Sequence, residues 1–208
     1  MSTSGREPAD ESRYHHGRLR EALVTEGLRL LEESGEGAFS LRELARRLGV
    51  SANAAYRHFA SKEALLEALA AEGFRRFAAG QLMAARGGDS PQAGFLAAGR
   101  AYVAFAEAHP ALFRLMFGRF SADRHGDELA AAGELAYEGL RHGVAAALGR
   151  PVADPEVDVA VLRAWSLVHG LSHLVLDGQL ARRLGNAAAV QACIEAVLRQ
   201  ALAEAPAA

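Results

Sequence analysis

The chain is short of cysteine, of long unbroken apolar runs and of any strand-like alternation, and each shortage closes off a class of protein. A single cysteine, Cys193, has no partner for an intrachain disulfide and no companions for a thiolate metal cluster, so it reads as a small buried hydrophobe. The longest apolar segment, Val157 to Leu176, is interrupted by Asp158, Arg163 and two histidines, which argues against a membrane span and a membrane partner. No secretory apolar stretch follows the polar N-terminus, so the expected compartment is the cytoplasm. Nowhere do apolar and polar residues alternate with period two, and the expected class is all-α. No paired carboxylates, activated nucleophile or phosphate loop stands out. The Gly88-Asp89-Ser90 triplet lacks the strand-to-helix turn an esterase motif needs and reads as a loop, so the chain is not expected to be an enzyme. Half of the 208 residues are apolar, enough for a sizeable core.

What the chain does have is a concentrated basic stretch, although its net charge is −2. From Ser40 to Lys62 there are four arginines and one lysine against one glutamate. Charge that is local rather than global is the footprint of a nucleic-acid contact. Ser40 with Glu43 three residues on forms a capping box, so a helix starts at Leu41 and ends at Gly49. Leu41, Leu44, Ala45 and Leu48 share one face of it, and Arg42, Glu43, Arg46 and Arg47 the other. Ser51 caps a second short helix that turns Ala52, Ala55 and Phe59 inward with Val50 and leaves Asn53, Ala54, Tyr56, Arg57 and His58 outside. Two short helices across a tight turn make a helix-turn-helix, and the outward side chains are donors that reach base edges and phosphates. Lys62 lies in the first turn of the next helix, whose Ser61-capped N-terminus offers a further phosphate site.

The run GVSANAAYRHFASKEALL resembles the helix-turn-helix signature of the TetR/AcrR family of bacterial transcription regulators: a Gly-Val-Ser turn, Tyr-x-His-Phe, then Lys-Glu-x-Leu. The likeness extends upstream through Tyr14-His15-His16-Gly17 and the first helix. Downstream it reaches Ala164-Trp165-Ser166-Leu167-Val168-His169-Gly170, which is similar to a subgroup known for a Trp-His-Gly element. The resemblance implies backbone contacts from Tyr56, His58 and Lys62 and base reading by Arg42, Ala52, Asn53, Ala54 and Arg57, beside the caps Ser40 and Ser51. Relatives often carry Pro, Thr or Leu where this chain has Ala54 and Ala55, and alanine offers a base only methyl contact, as to thymine. The implied protein is a repressor that binds a palindromic double-stranded operator as a homodimer and is released by a small molecule, with no cofactor.

Along the rest of the chain, residues 1–12 are polar and without period and read as a disordered arm, with 13–62 as the DNA-binding domain and 63–208 as a ligand-binding and dimerisation domain. Arg18 to Ser34 makes helix one. Helix four, Lys62 to about Arg86, is too long for a three-helix head to bury and should join the two domains. Five more helices follow: Ala93–Ala108, Ala111 to about Phe120, Asp127–Leu148, Pro155 to about Gly178, and Ala187–Ala203, about nine in all. The family's helices four to eight surround a ligand cavity, which places Phe77, Tyr102, Phe105, Phe113, Phe117, Tyr137, Trp165 and His169 as liners for an apolar or amphipathic ligand. A plain aromatic core is the competing reading. His169 and His173, at i and i+4, would be able to meet one metal, but no Glu or thiolate accompanies them. Val157, Val161, Val168, Val175 and Leu176, with Val190, Ile194, Val197 and Leu198, exceed what a terminal helical pair buries alone and predict a dimer seam. An alternative is a second domain that only dimerises or meets a protein partner.

Overall fold

The structure, a computed structural model, describes residues 8–118 and 126–201. Every regular element among the described residues is an α-helix, ten of them against the nine expected. Helix α1 (Pro8–Ala38) begins inside the segment expected as an arm. Proline suits a first helical turn because its missing N–H would have no partner there and its φ is already helical. Residues 1–7 of that arm lie outside the described residues. Gly35, at φ 66, interrupts α1 where the sequence places its end.

Three short caps then set the head. Ser40 accepts from the Glu43 N–H and opens α2 (Leu41–Arg47), Ser51 accepts from Ala54 and opens α3 (Ala52–His58), and Ser61 accepts from Ala64 and opens α4 (Lys62–Arg86). Each cap satisfies an N–H that the first turn leaves without a partner. Leu41 and Leu44 of α2, Ala55 of α3 and Phe59 are buried against Leu23, Leu30 and Leu31 of α1. Phe39 plugs the junction, 2% exposed.

Helix α4 has 25 residues and is roughly 37 Å long at 1.5 Å per residue. Its Leu65, Leu66 and Leu69 complete the core of the head, whereas Phe77 belongs with Tyr102, Phe113 and Met116 of the second domain. The boundary expected at residue 62 thus falls where α4 enters a core that both domains share. The second domain continues with α5 (Pro91–Ala108), α6 (Pro110–Gly118), α7 (Asp127–Leu148), α8 (Pro155–Leu176), α9 (Gln179–Leu184) and α10 (Ala187–Arg199). Phe120 and the loop expected from Ala122 lie outside the described residues. Helix α9 is the unexpected one. Its six residues stand between Gly178 (φ 65) and Gly185 (φ 79), too few to display a helical period.

Three joints tie the head to the second domain. The Glu32 carboxylate of α1 accepts from the Ala111 and Leu112 N–H groups at 3.2 and 3.0 Å, capping α6 from another domain. Arg20 of α1 and Arg75 of α4 both bond Glu128 at the start of α7. Helix α6 crosses α4 at Gly73, where a Cβ would lie 2.6 Å from the Met116 sulfur, so a larger residue there would have to displace the Met116 side chain. Helix α8 is long and apolar enough to cross a membrane by length and composition, but its Val157, Val161, Ala164 and Val168 are buried within the protein.

Candidate nucleic-acid interface and interior cavity

The turn between α2 and α3 is built by Gly49, at φ 67, and by the Val50 N–H donating to the Ala45 carbonyl. Phe59, at the end of α3, is buried with the Arg20 guanidinium 5.2 Å from its ring centre. With Ala55 buried inward, α3 presents Asn53, Tyr56 and Arg57 to solvent, and Ala52, Ala54 and His58 are half-buried. Tyr56 is 42% exposed, unusual for an aromatic without a partner surface. Arg42 of α2 is exposed as well.

The basic cluster is narrower than its composition implies. Glu43 bonds both Arg46 (2.8 Å) and Arg47 (3.0 Å). The Arg46 and Arg47 hydrogen bonds hold its carboxyl down at about 2. Arg47 also meets Glu33 of α1 at 2.7 Å and Glu26 at 3.4 Å. It is therefore a strut between α1 and α2. The Lys62 ammonium donates to the Glu36 carbonyl at 2.7 Å, tying the start of α4 to the end of α1. The Ser40 and Ser51 hydroxyls serve as caps. Of the exposed arginines between residues 40 and 62, Arg46 is paired with Glu43, while Arg42 and Arg57 face solvent on α2 and α3.

Behind the head lies a cavity of about 1140 Å³ between α4, α5, α7 and α8, with α6 and α10 contributing. Of the residues expected to line it, Phe77, Tyr102, Phe117, Tyr137 and Trp165 do. Phe105, Phe113 and His169 do not. Phe105 packs on Phe77 and His109, at ring-centre distances of 5.3 and 5.0 Å, and Phe113 is fully buried between Tyr102 and His169. His169 stands behind Tyr102, its Nδ1 2.8 Å from the phenol oxygen. Aromatic spacing identifies a helix face but not which rings point into a void and which into a neighbour. Phe95 lines the cavity too, as do Phe74, Leu82 and Leu140, which the sequence reading does not name as liners. Phe74 was legible, since it sits one turn before Phe77 on the same face. Leu82 and Leu135, both exposed, mark the mouth between α4 and α7.

The imidazoles of His169 and His173 do meet, at a ring-centre distance of 4.7 Å, inside a cage formed with Phe113 and Phe117. Among the described residues no group of three or more His, Cys, Asp or Glu side chains is placed to hold a metal. Burial, with the His173 neighbour adding to it, holds the His169 imidazole below its ordinary value and so neutral.

Five of the nine residues expected at a dimer seam are buried within the chain itself. Val157 and Val161 are 0% exposed, and Val168, Ile194 and Leu198 are also buried in the chain's own core, while Val175, Leu176, Val190 and Val197 are half-buried. Instead α8 exposes Val159 (68%), Leu162 (54%) and Leu174 (47%), with Ser166 and Gly170 between them on one face. A helix that is apolar all round carries no mark of which stripe faces home.

A helix-turn-helix head, coupled through a shared long helix to an all-helical domain with an apolar cavity, defines a DNA-binding regulator of bacterial type. Residues 23–69 match the bacterial regulatory proteins of the tetR family, and residues 95–201 match the tetracyclin repressor-like C-terminal domain. The chain belongs to the TetR family of transcriptional regulators, which are not enzymes. It is 33% identical to a Rhodococcus protein of unknown function, over 93% of this chain and 98% of that one, with a TM-score of 0.74. A TetR-family regulator from Thermus thermophilus shares the fold at 20% identity, with a TM-score of 0.60 over 86% of this chain and 96% of that one. The class C tetracycline repressor of Escherichia coli is 49% identical over 51 residues. That match covers 24% of this chain and 23% of the repressor, so the chain spans about a quarter of that relative.

Proposed function

We propose that the protein is a cytoplasmic repressor that binds a nearly palindromic operator as a homodimer and is released when a small apolar molecule enters the cavity. The observation that carries this reading is the double membership of α4: Leu65, Leu66 and Leu69 are buried in the head, while Phe74, Phe77 and Leu82 wall the cavity. A ligand that favours one placement of α4 shifts the equilibrium by the difference in its affinity for the two placements, and the operator weakens the ligand by the same factor. Couplings of about 1 to 3 kcal/mol are typical and would release operator roughly five-fold to more than a hundred-fold. Arg42, Asn53, Tyr56 and Arg57 reach the duplex in this reading, with Ala52 and Ala54 close to bases and His58 and Lys62 near the backbone.

The dimer supports the same function through Val159, Leu162 and Leu174 of α8, whose apolar stripe would close against a second copy on a two-fold axis. The two heads would then meet successive major grooves about 34 to 36 Å apart. A second domain that only dimerises leaves the cavity without a role. Selection of duplexes from a random library should enrich a palindrome, with affinity falling steeply as salt rises because phosphate contacts release counterions. Recovery of no palindrome, or affinity indifferent to salt, would overturn the proposal.

A further inference from the structure

Along the seam between α1 and α2 the arginines are not equally committed. Three carboxylates, Glu26 and Glu33 of α1 and Glu43 of α2, pair there with the guanidinium groups of Arg29, Arg46 and Arg47. Arg29 lies between Glu26 and Glu33, at 2.7 and 2.6 Å. Arg47 meets all three carboxylates, and its side chain is 22% exposed. Among the described residues Arg46 meets only Glu43, through its Nε and one terminal nitrogen, each at 2.8 Å. Its side chain is 74% exposed. That pairing uses two of the five N–H donors a guanidinium carries.

This asymmetry makes Arg46 the member that can leave. When it does, Glu43 keeps Arg47 at 3.0 Å, and no carboxylate of the seam loses its last partner. An ion pair this exposed gains little over water, so its exchange for another anion is easy. Position on the helix supplies the anion. Leu41, Leu44 and Ala45 of α2 are buried, and Glu43 and Arg47, four residues apart, occupy the edge toward α1. Arg42 and Arg46, also four apart, share the other edge, and both are exposed. In a helix-turn-helix the first of the two helices crosses the phosphate backbone, so an exposed basic edge of α2 is placed to meet it.

We propose that Arg46 is a further DNA contact of the head, restrained by Glu43 in the free protein and handed to a backbone phosphate on binding. Phosphate offers the guanidinium the same planar two-point pairing that the carboxylate gives it. Such a contact reads no base, so Glu43 lowers affinity for every duplex alike and leaves sequence preference untouched.

The test needs no operator, only the full-length protein and a short duplex of random sequence titrated with salt. Arg46→Gln should lower the slope of log affinity against log salt by about 0.9, the value of one phosphate contact, whereas Arg46→Lys, which keeps the charge, should retain it. Thermal melts should coincide for the native chain and Arg46→Gln, because the side chain is exposed. Arg29→Gln removes the same charge from the α1 side of the seam and should leave the slope at the native value. Glu43→Gln should tighten binding by up to about five-fold, the release of one exposed ion pair. In that variant Arg47 still holds Glu33 at 2.7 Å, so α2 stays tied to α1. Most of the gain should vanish when Glu43→Gln is combined with Arg46→Gln. A slope unchanged by Arg46→Gln, or lowered equally by Arg29→Gln, overturns the proposal, as does a Glu43→Gln gain of the same size with and without Arg46. Native binding indifferent to salt overturns the phosphate-contact reading of the whole head, and the proposal with it.

Discussion

Lys62 does two jobs with one ammonium group. Its hydrogen bond to the Glu36 carbonyl anchors the start of α4, and its charge lies close to the expected path of the DNA backbone. Lys62→Ala should therefore weaken binding to all duplexes about equally and also lower stability by about 1 to 2 kcal/mol, measured by denaturant titration beside the DNA assay. Arg57→Ala should behave differently. Arg57 is exposed and supports nothing visible in the head, so its loss should leave stability unchanged while changing which site is preferred by about 1 to 3 kcal/mol. His169 makes a pH prediction at the same scale. Its imidazole is held below the ordinary 6.5 by burial first and by His173 second. As pH falls below 6.5 the unfolded chain takes up a proton that the folded one resists, so stability is lost in the acid direction and His169 exacts no such loss above that window. Denaturant midpoints measured across this range should fall less steeply for His169→Phe than for the native chain, and parallel curves would refute it.

At the scale of the helix, rotation about the axis decides function. On α8, Leu162 is exposed and Val161 is not, so Leu162→Glu should give a folded monomer by sedimentation that no longer binds operator. Ile194→Glu on α10 tests the opposite case. Ile194 is 3% exposed within its own protomer, and an unpaired charge there should unfold the chain rather than divide a dimer, as circular dichroism will show. The same contrast divides two neighbours on α6. Phe117 lines the cavity, so Phe117→Ala should alter binding of a small apolar dye there with a modest stability cost. Phe113 is fully buried, and Phe113→Ala should cost about 3 to 5 kcal/mol in a thermal or denaturant melt.

For the molecule as a whole, the proposed release of operator by a ligand would use the contacts that join the two domains. Helix α6 contributes Met116 and Phe117 to the cavity wall, its first N–H groups are held by Glu32 of α1, and it touches α4 at Gly73. Helix α4 leads from that wall to the recognition helix. A displacement in the cavity thus has two physical routes to the head, one through each helix, and both converge on the core around Leu66 and Leu69.

Much of this was legible in the residues. The capping serines, the Gly49 turn, the break at Gly35 and the long α4 follow from interactions within one turn of helix, and such interactions depend on sequence spacing alone. The outward face of α3 was legible for the same reason, because a seven-residue helix with one buried alanine has few orientations to choose from. What tertiary structure decided were the long-range partners and the phase of each apolar helix. Arg47 is a strut because Glu33 and Glu26 come to it from 14 and 21 residues away, and Lys62 is an anchor because Glu36 does so from 26. Val157 faces home and Val159 faces out, although a helix rich in valine, leucine and alanine offers its neighbours nearly equivalent stripes. Only packing, which depends on the shapes of every surrounding helix at once, selects one of them.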